Sequence, residues 1–144
     1  MATVSPQLSI TNMITLTQSQ ILTLYSEPVV ICAAQEGYIN IFQSAMLMYS
    51  YQNAPFTDVN NILNFQLVPT VGDNILVSNS LSASNILGLS QSSNVSFIPA
   101  NPYTSVMSTS SNAALVLTIA GNDPTGGDAS STLMVSITYS ILEA

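Results

Sequence analysis

The sequence of 144 residues contains no lysine, no arginine and no histidine. Nucleic-acid binding depends on cationic side chains that neutralise phosphates, and binding to anionic lipid needs a basic face. Phosphate groups are normally held by at least one cation. Ser–His–Asp triads require histidine, and Schiff-base chemistry requires lysine. We therefore expect no nucleic-acid partner, no membrane partner and no enzymatic activity.

Negatively charged residues are scarce as well. The chain carries seven carboxylates and a net charge of −7, and only 5% of its residues are charged, against about 25% in ordinary soluble domains. Ser, Thr and Asn supply about a third of the residues, so uncharged polar groups must solvate the surface. Cys32 is the single cysteine, which excludes an intrachain disulfide. It lies in an apolar run, where a free cysteine behaves as a small buried hydrophobe.

Long apolar segments are missing as well. No run of about 18 apolar residues is present, so no membrane-spanning helix is expected. Residues 1–25 lack a basic region followed by a compact apolar region, so they do not read as a signal peptide.

Alternation with a period of two dominates what is present. From Thr132 to Ile141, apolar residues alternate with Ser, Thr and Met, as in an antiparallel strand with one buried face. Leu115–Ile119 alternates similarly, and the link at 121–128 is rich in turn residues. These two runs are predicted to form a hairpin.

Further strands are expected along the chain. The predicted segments are Ile21–Tyr25, Val29–Ala33, Tyr38–Tyr51 with a bulge near Gln43–Ala45, Ile62–Val68 paired with Asn74–Val77, and Val95–Ile98. Leu81–Leu89 has apolar residues near helical spacing and is predicted to be a short helix.

About eight short strands in one domain predict an all-β fold. Our first choice is an antiparallel jelly-roll-like sandwich with at most one short helix, and the second is an immunoglobulin-like sandwich. We expect residues 1–19 to form an N-terminal arm or an extra strand and residues 20–144 to form a single β-sandwich domain.

Two stretches resemble small β proteins from phage and prophage structural modules. They are Tyr25–Ala34 (YSEPVVICAA) followed by Gly37–Ile41 (GYINI), and Thr125–Leu142 (TGGDASSTLMVSITYSIL). The similarity covers roughly residues 21–142. The resemblance implies a jelly-roll-like virion protein of tailed phages, such as a capsid cement or decoration protein. Such proteins usually assemble as trimers on the major capsid protein at the particle surface. The alternative is a receptor- or glycan-binding module of a tail fibre or spike.

Asp123 and Asp128 are the candidate metal ligands. Together with Asn122 and backbone carbonyls they could coordinate Ca²⁺ through oxygen atoms. The spacing is not that of an EF-hand. The competing interpretation is a solvated loop closed by Asx turns, with no metal or other cofactor.

Aromatic residues offer candidates for stacking on a sugar. These are Tyr49, Tyr51, Phe56 and Tyr103. The competing interpretation is packing in the core or on a strand face.

Self-association is the expectation that composition favours most. An apolar chain with a mean hydropathy of +0.43 and few charges exposes surface that tends to associate. We expect a homotrimer seated on other virion proteins.

Overall fold

The computed structural model describes residues 8–70, 72–100 and 112–143. These residues form eleven strands, one short α-helix and one 3₁₀ turn. The strands are β1 (Leu8–Leu16), β2 (Val29–Cys32), β3 (Tyr38–Ser50), β4 (Phe56–Thr57), β5 (Ile62–Pro69), β6 (Ile75–Leu76), β7 (Leu81–Ser82), β8 (Ser93–Phe97), β9 (Ala113–Ile119), β10 (Thr125–Gly126) and β11 (Thr132–Glu143). The helix α1 spans Gln18–Ile21, and the 3₁₀ turn spans Ala83–Asn85.

The strands form two principal antiparallel sheets. Sheet A has the order β1-β11-β3-β8, and sheet B has the order β2-β9-β5-β6, with β7 also pairing with β5. Along the chain, β1, β3, β8 and β11 lie in sheet A and alternate with β2, β5 and β9 in sheet B. The four strands of sheet A and the five of sheet B form an all-β sandwich, and the jelly-roll topology stays a prediction. The predicted all-β sandwich is confirmed.

The core lies between the two sheets. Leu133, Val135 and Ile137 point inward from β11 and are fully buried, as the period-two alternation predicted. Phe65 of β5 stacks on Phe42 of β3, with the ring centroids 5.1 Å apart. It also meets Phe97 of β8 edge-on at 5.3 Å. These rings join sheet A to sheet B.

The predicted bulge in the long strand β3 is confirmed. Thr138 lies opposite Ser44, but the next residue of β11, Tyr139, lies opposite Phe42. Gln43 is therefore the extra residue. The bulge brings its side chain to the outer side of sheet A, where Ser9 donates a hydrogen bond to its Oε1 at 3.1 Å. The predicted pairing of the Ile62–Val68 segment with Asn74–Val77 is confirmed by β5 and β6.

The predicted hairpin between residues 115–119 and 133–141 is wrong. Strand β9 pairs with β2 and β5 in sheet B, whereas β11 pairs with β1 and β3 in sheet A. The reason is burial on both faces of β9: Val116 and Thr118 point away from the core but are still buried. The Thr118 hydroxyl donates to the Leu24 carbonyl at 3.4 Å, so the segment after α1 covers this part of sheet B.

Two local assignments also differ from the structure. Residues 21–25, predicted as a strand, contain the end of α1 and a series of turns. The Gln20 side chain accepts a hydrogen bond from the Thr17 N–H at 3.0 Å, which caps the helix, and Ile21 and Leu24 are buried on one side. Residues 81–89, predicted as a helix, contain β7 and only a single 3₁₀ turn.

The N-terminal segment contributes an edge strand. Of residues 1–19, residues 8–16 form β1, which pairs with β11 along its whole length without a register shift. The first seven residues lie outside the described part of the chain. The division into residues 1–19 and 20–144 stays a prediction. Within the described ranges, no helix is long and apolar enough to cross a membrane.

Candidate functional site

The outer side of sheet A is a surface that sequence reasoning did not single out. Most of its outward-pointing side chains are Ser, Thr, Asn, Gln and Met, whereas Ile39, Ile41 and Leu142 point outward beyond the bulge at Gln43. We call the polar and methionine-bearing part the methionine face, and it comprises Ser9, Thr11, Met13, Thr15, Gln43, Ser44, Met46, Met48, Ser50, Asn94, Ser96, Thr132, Met134, Ser136 and Thr138.

Four methionines lie next to one another on this face. Met48 is directly opposite Met134, and Ser136 lies between Met46 on one side and Met13 on the other. Met13 is 61% exposed and Met46 is 39% exposed. Every methionine among the described residues belongs to this face. Methionine is flexible and polarizable, and it is frequent at adaptable binding surfaces.

Uncharged hydrogen bonds connect the strands across the methionine face. Gln43 Nε2 donates to the Ser140 hydroxyl, and Gln43 Oε1 accepts from the Ser9 hydroxyl. The Thr11 and Thr138 hydroxyls are 3.1 Å apart. These bonds connect side chains on the neighbouring strands β1, β11 and β3. The polar side chains of the face are therefore held by one another as well as by solvent.

Formal charge is confined to the margins of the described fold. Six carboxylates lie in connections between strands, and Glu143 is the last residue of β11. They are Glu27, Glu36, Asp58, Asp73, Asp123, Asp128 and Glu143. The methionine face therefore carries no formal charge within the described strands.

Asp123, a predicted calcium ligand, instead connects two loops. Its carboxylate accepts hydrogen bonds from the Ser26 N–H at 3.0 Å, the Ser26 hydroxyl at 2.7 Å and the Tyr25 N–H at 2.8 Å. The bonds from Ser26, and then that from Tyr25, hold the pKa of Asp123 below its usual value. The carboxylate thereby fixes the segment after α1 to the loop after β9.

Asp128, the second predicted ligand, binds a different segment. It accepts from the Ser130 N–H at 2.8 Å and from Asn53 Nδ2 at 3.3 Å, and these bonds lower its pKa. Asn122 binds Asn61 and the Asp123 carbonyl. Among the described residues, no three acidic or cysteine side chains gather as a metal site would require. Calcium binding stays a prediction, and none of these contacts supports it.

The predicted sugar-stacking residues lie mostly in the core. Tyr49 and Phe56 are 2% and 1% exposed, and their ring centroids are 6.1 Å apart. Gly127 packs against the Phe56 ring so closely that a Cβ there would clash with it. Tyr51 is half-buried and meets Tyr49 edge-on. The ring faces of Tyr49 and Phe56 are therefore covered by protein, and Tyr103 lies outside the described residues.

A cleft opens beside the edge strand β1. It measures about 370 Å³ and lies between β1 and the chain from α1 to β2. Its lining includes Ile14 from β1, Glu27 from the connection, and Val30 from β2. A second depression of about 380 Å³ lies on the methionine face, beside Met46 and Ile98. Both are open and shallow, unlike the enclosed apolar cavities that hold small ligands.

The importance of Asp123 can be tested through the pH dependence of stability. A carboxylate whose pKa is lowered on folding stabilises the protein above its unfolded pKa, and this contribution is lost as the pH falls through the folded pKa. We expect Asp123→Asn to lower the melting temperature slightly at pH 7. The difference from the wild type should shrink as the pH falls below the ordinary aspartate pKa of about 3.9 and through the lower pKa of the folded chain. Asp73→Asn, which removes the same charge from another loop, is the control and should leave the profile nearly unchanged.

Comparison with known proteins gives little further information. No protein-family model matches the chain, and no curated protein matches its sequence. Among solved structures, the chain is similar to a chain of the Cyanophage Pam1 capsid asymmetric unit, with a TM-score of 0.46 and 15% sequence identity. The match covers 97% of this chain and 88% of that one. A likeness at this level does not establish a shared role.

Proposed function

We propose that the chain is a self-associating structural protein of a phage virion, of the capsid cement or decoration type. The observation that carries the proposal is the methionine face, a surface without formal charge on one sheet of an all-β sandwich. Jelly rolls occur in viral capsid and lectin domains. Because a fold does not determine a function by itself, the choice between a capsid role and a glycan-binding role depends on the residues of the chain.

The residues favour a structural role over a ligand-binding or catalytic one. A chain without His, Lys or Arg offers few groups for acid–base or nucleophilic catalysis, and we propose that it is not an enzyme. Stacking on a sugar needs an aromatic face that is open to solvent, whereas Tyr49 and Phe56 are packed in the core. This burial weighs against the receptor- or glycan-binding alternative.

We further propose that the assembly is a homotrimer that contacts the major capsid protein on the particle surface. The trimer and the capsid contact come from the resemblance described above. The uncharged, hydroxyl-rich face supports contact with other protein surfaces, since interface cores are depleted in charged residues.

The test is the copy number of the chain in purified particles of the phage that encodes it, relative to the major capsid protein. Quantitative mass spectrometry measures both. A ratio of the same order as the capsid protein would support a cement or decoration role. A few tens of copies or fewer would point to a fibre, spike or tail component, and absence from the particle would overturn the virion proposal.

Self-association should strengthen as salt is added. Two copies each carry a net charge of −7 and no cationic side chain, so no side-chain ion pair can form between them and long-range repulsion opposes their approach. Salt screens that repulsion over about 10 Å at 0.1 M. We expect the oligomeric fraction measured by light scattering to rise between 20 mM and 500 mM NaCl. A fall would show that attraction between charges holds the copies together, contrary to the proposal.

A further inference from the structure

Strand β1 is a free edge of sheet A that lacks the usual protection. On one side it pairs with β11, and no described strand pairs with its other side. Natural proteins block such edges with charged residues, proline, bulges or short length, because unpaired N–H and C=O groups accept another strand. Strand β1 spans nine residues and contains no charge, no proline and no register shift.

The other free edges of the described sheets carry this protection. Strand β2 has four residues, follows Pro28, and shifts register between Val30 and Cys32. Strand β8 has only five residues. Strands β6 and β7 have two residues each. The contrast indicates that the edge of β1 is kept open for a partner strand.

The sequence of β1 identifies the partner. It reads LSITNMITL and is nearly symmetric about Asn12: Ile10 mirrors Ile14, Ser9 mirrors Thr15, and leucine stands at both ends. An antiparallel contact between identical strands about a two-fold axis places each residue opposite its mirror position. Symmetry of this kind lets both copies present similar side chains at every position except 11 and 13, where Thr11 of one copy faces Met13 of the other.

We propose that two copies of the chain pair through β1, antiparallel about Asn12, so that their A sheets join into one eight-stranded sheet. This inference rests on the self-association proposed above and adds a two-fold contact to it: one β1 edge can pair with only one other copy, so the pairing joins copies that belong to different trimers. When the two strands pair symmetrically about Asn12, core-facing side chains of one copy lie opposite core-facing side chains of the other. A shift of the pairing by one residue would instead turn the apolar side chains of one copy toward solvent. Eight strands lie within the usual size of an open sheet.

Burial supports the pairing. Ile10 and Ile14 point toward the core but remain half-buried, whereas Tyr139 and Val135, which lie opposite them on β11, are 6% and 0% exposed. The cleft lined by Ile14 is the open side of the sandwich. In the proposed pair, Ile14 of each copy lies beside Ile10 of the other, so strand addition completes the cover of these side chains.

Charge supports a second copy over a different protein. Ordinary surfaces are about 25–35% charged, and β1 offers no charged group to match one. Glu27 is the carboxylate that lines the same cleft as Ile14. The two Ile14 positions are separated by four residues along the paired strands, about 14 Å, which exceeds the screening length of about 10 Å at 0.1 M salt.

Cysteine cross-linking tests the register directly, in a Cys32→Ala background that removes the native thiol. Opposite residues of an antiparallel pair have Cα atoms about 4.5–5.5 Å apart, within the range of about 4.4–6.8 Å that a disulfide needs. Position 9 lies opposite position 15 of the other copy. Ser9→Cys mixed with Thr15→Cys should therefore form a disulfide-linked species of twice the chain mass under mild oxidation.

Each single variant is the control for the other. In a pair made of one single variant only, the two introduced cysteines are six residues apart along the strands, about 20 Å. Neither Ser9→Cys nor Thr15→Cys should therefore cross-link by itself. Asn12→Cys should cross-link alone, because position 12 faces its own copy. Circular dichroism establishes that the variants fold, and the exposed positions 9 and 15 provide a readout even if the Asn12 variant does not fold.

The outcomes separate this inference from the virion role. Cross-linking of the mixture and of Asn12→Cys, but not of the two single variants, supports the pairing. Equal cross-linking of all variants, or none in any of them, would overturn it. Neither result depends on whether the chain occurs in particles, because the copy number measures that independently.

Discussion

Phe65→Ala is expected to lower the free energy of unfolding by about 3–5 kcal/mol, the usual cost of removing a buried phenylalanine side chain. Phe65 is fully buried and touches Phe42 and Phe97, one on each of two strands of the opposite sheet. The loss combines hydrophobic transfer, a residual cavity and two ring contacts worth roughly 0.5–1.5 kcal/mol each. Because small domains are stable by about 5–15 kcal/mol, this single change removes a large part of the total.

Urea unfolding at a fixed protein concentration measures the effect, since association makes apparent stability depend on concentration. Phe65→Leu keeps most of the apolar volume and should cost less than Phe65→Ala. Tyr25→Ala removes an aromatic ring that is 49% exposed and should cost less than about 1 kcal/mol, as surface changes usually do. A loss below about 1 kcal/mol for Phe65→Ala would mean that the rings do not join the sheets.

Much of the fold could be predicted from local pattern. The alternation in β11 identified which residues face the core, and the sequence of β3 predicted a bulge near Gln43–Ala45, which the structure places at Gln43. These features depend on neighbours along one strand, where side chains alternate between faces. They require no knowledge of which strand lies alongside.

The pairing of strands could not be predicted in the same way. A turn-rich link between residues 119 and 132 is compatible with a hairpin and equally with a crossing between sheets. What decides it is burial on both sides of β9, where Val116 and Thr118 point away from the core but are covered. That cover comes from a segment more than 90 residues earlier, as the bond from Thr118 to Leu24 shows.

The candidate sites show the same division. The sequence identified Asp123 as a carboxylate that could bind a metal ion. It could not identify Tyr25 and Ser26 as the hydrogen-bond donors to this carboxylate, because they are nearly 100 residues away in sequence. The outward position of Met134 followed from alternation. Its place beside Met48 depends on the strand order of sheet A, which period-two patterns do not contain.

The edge of β1 is a case in which sequence and topology are informative only together. The near-symmetry about Asn12 can be read from the sequence, but it has no meaning in a central strand, whose two sides are already paired. Once sheet A places β1 at its edge, the absence of charge and proline becomes evidence for strand addition. Hydrogen bonds between Ser9 and Thr15 of opposite copies would extend the uncharged contacts already seen between Thr11 and Thr138.

Met13→Lys is expected to weaken self-association through β1 by at least tenfold, equivalent to about 1.4 kcal/mol. Met13 points outward from the edge strand and is 61% exposed, so the folded chain tolerates the substitution. In the proposed pair, the two copies of position 13 lie only two residues apart, about 7 Å. Each lysine would then meet a like charge, and lysine on an edge strand is a natural block to pairing.

Met46→Lys is the matched control for this prediction. It introduces the same side chain on the same face and changes the net charge equally, but β3 is separated from β1 by β11. Light scattering over a dilution series should show weaker association for Met13→Lys and unchanged or slightly stronger association for Met46→Lys, because a lower net charge reduces repulsion. Equal weakening by both would show that copies meet through the methionine face and not through the edge. No effect of Met13→Lys would count against both contacts, since this residue belongs to both surfaces.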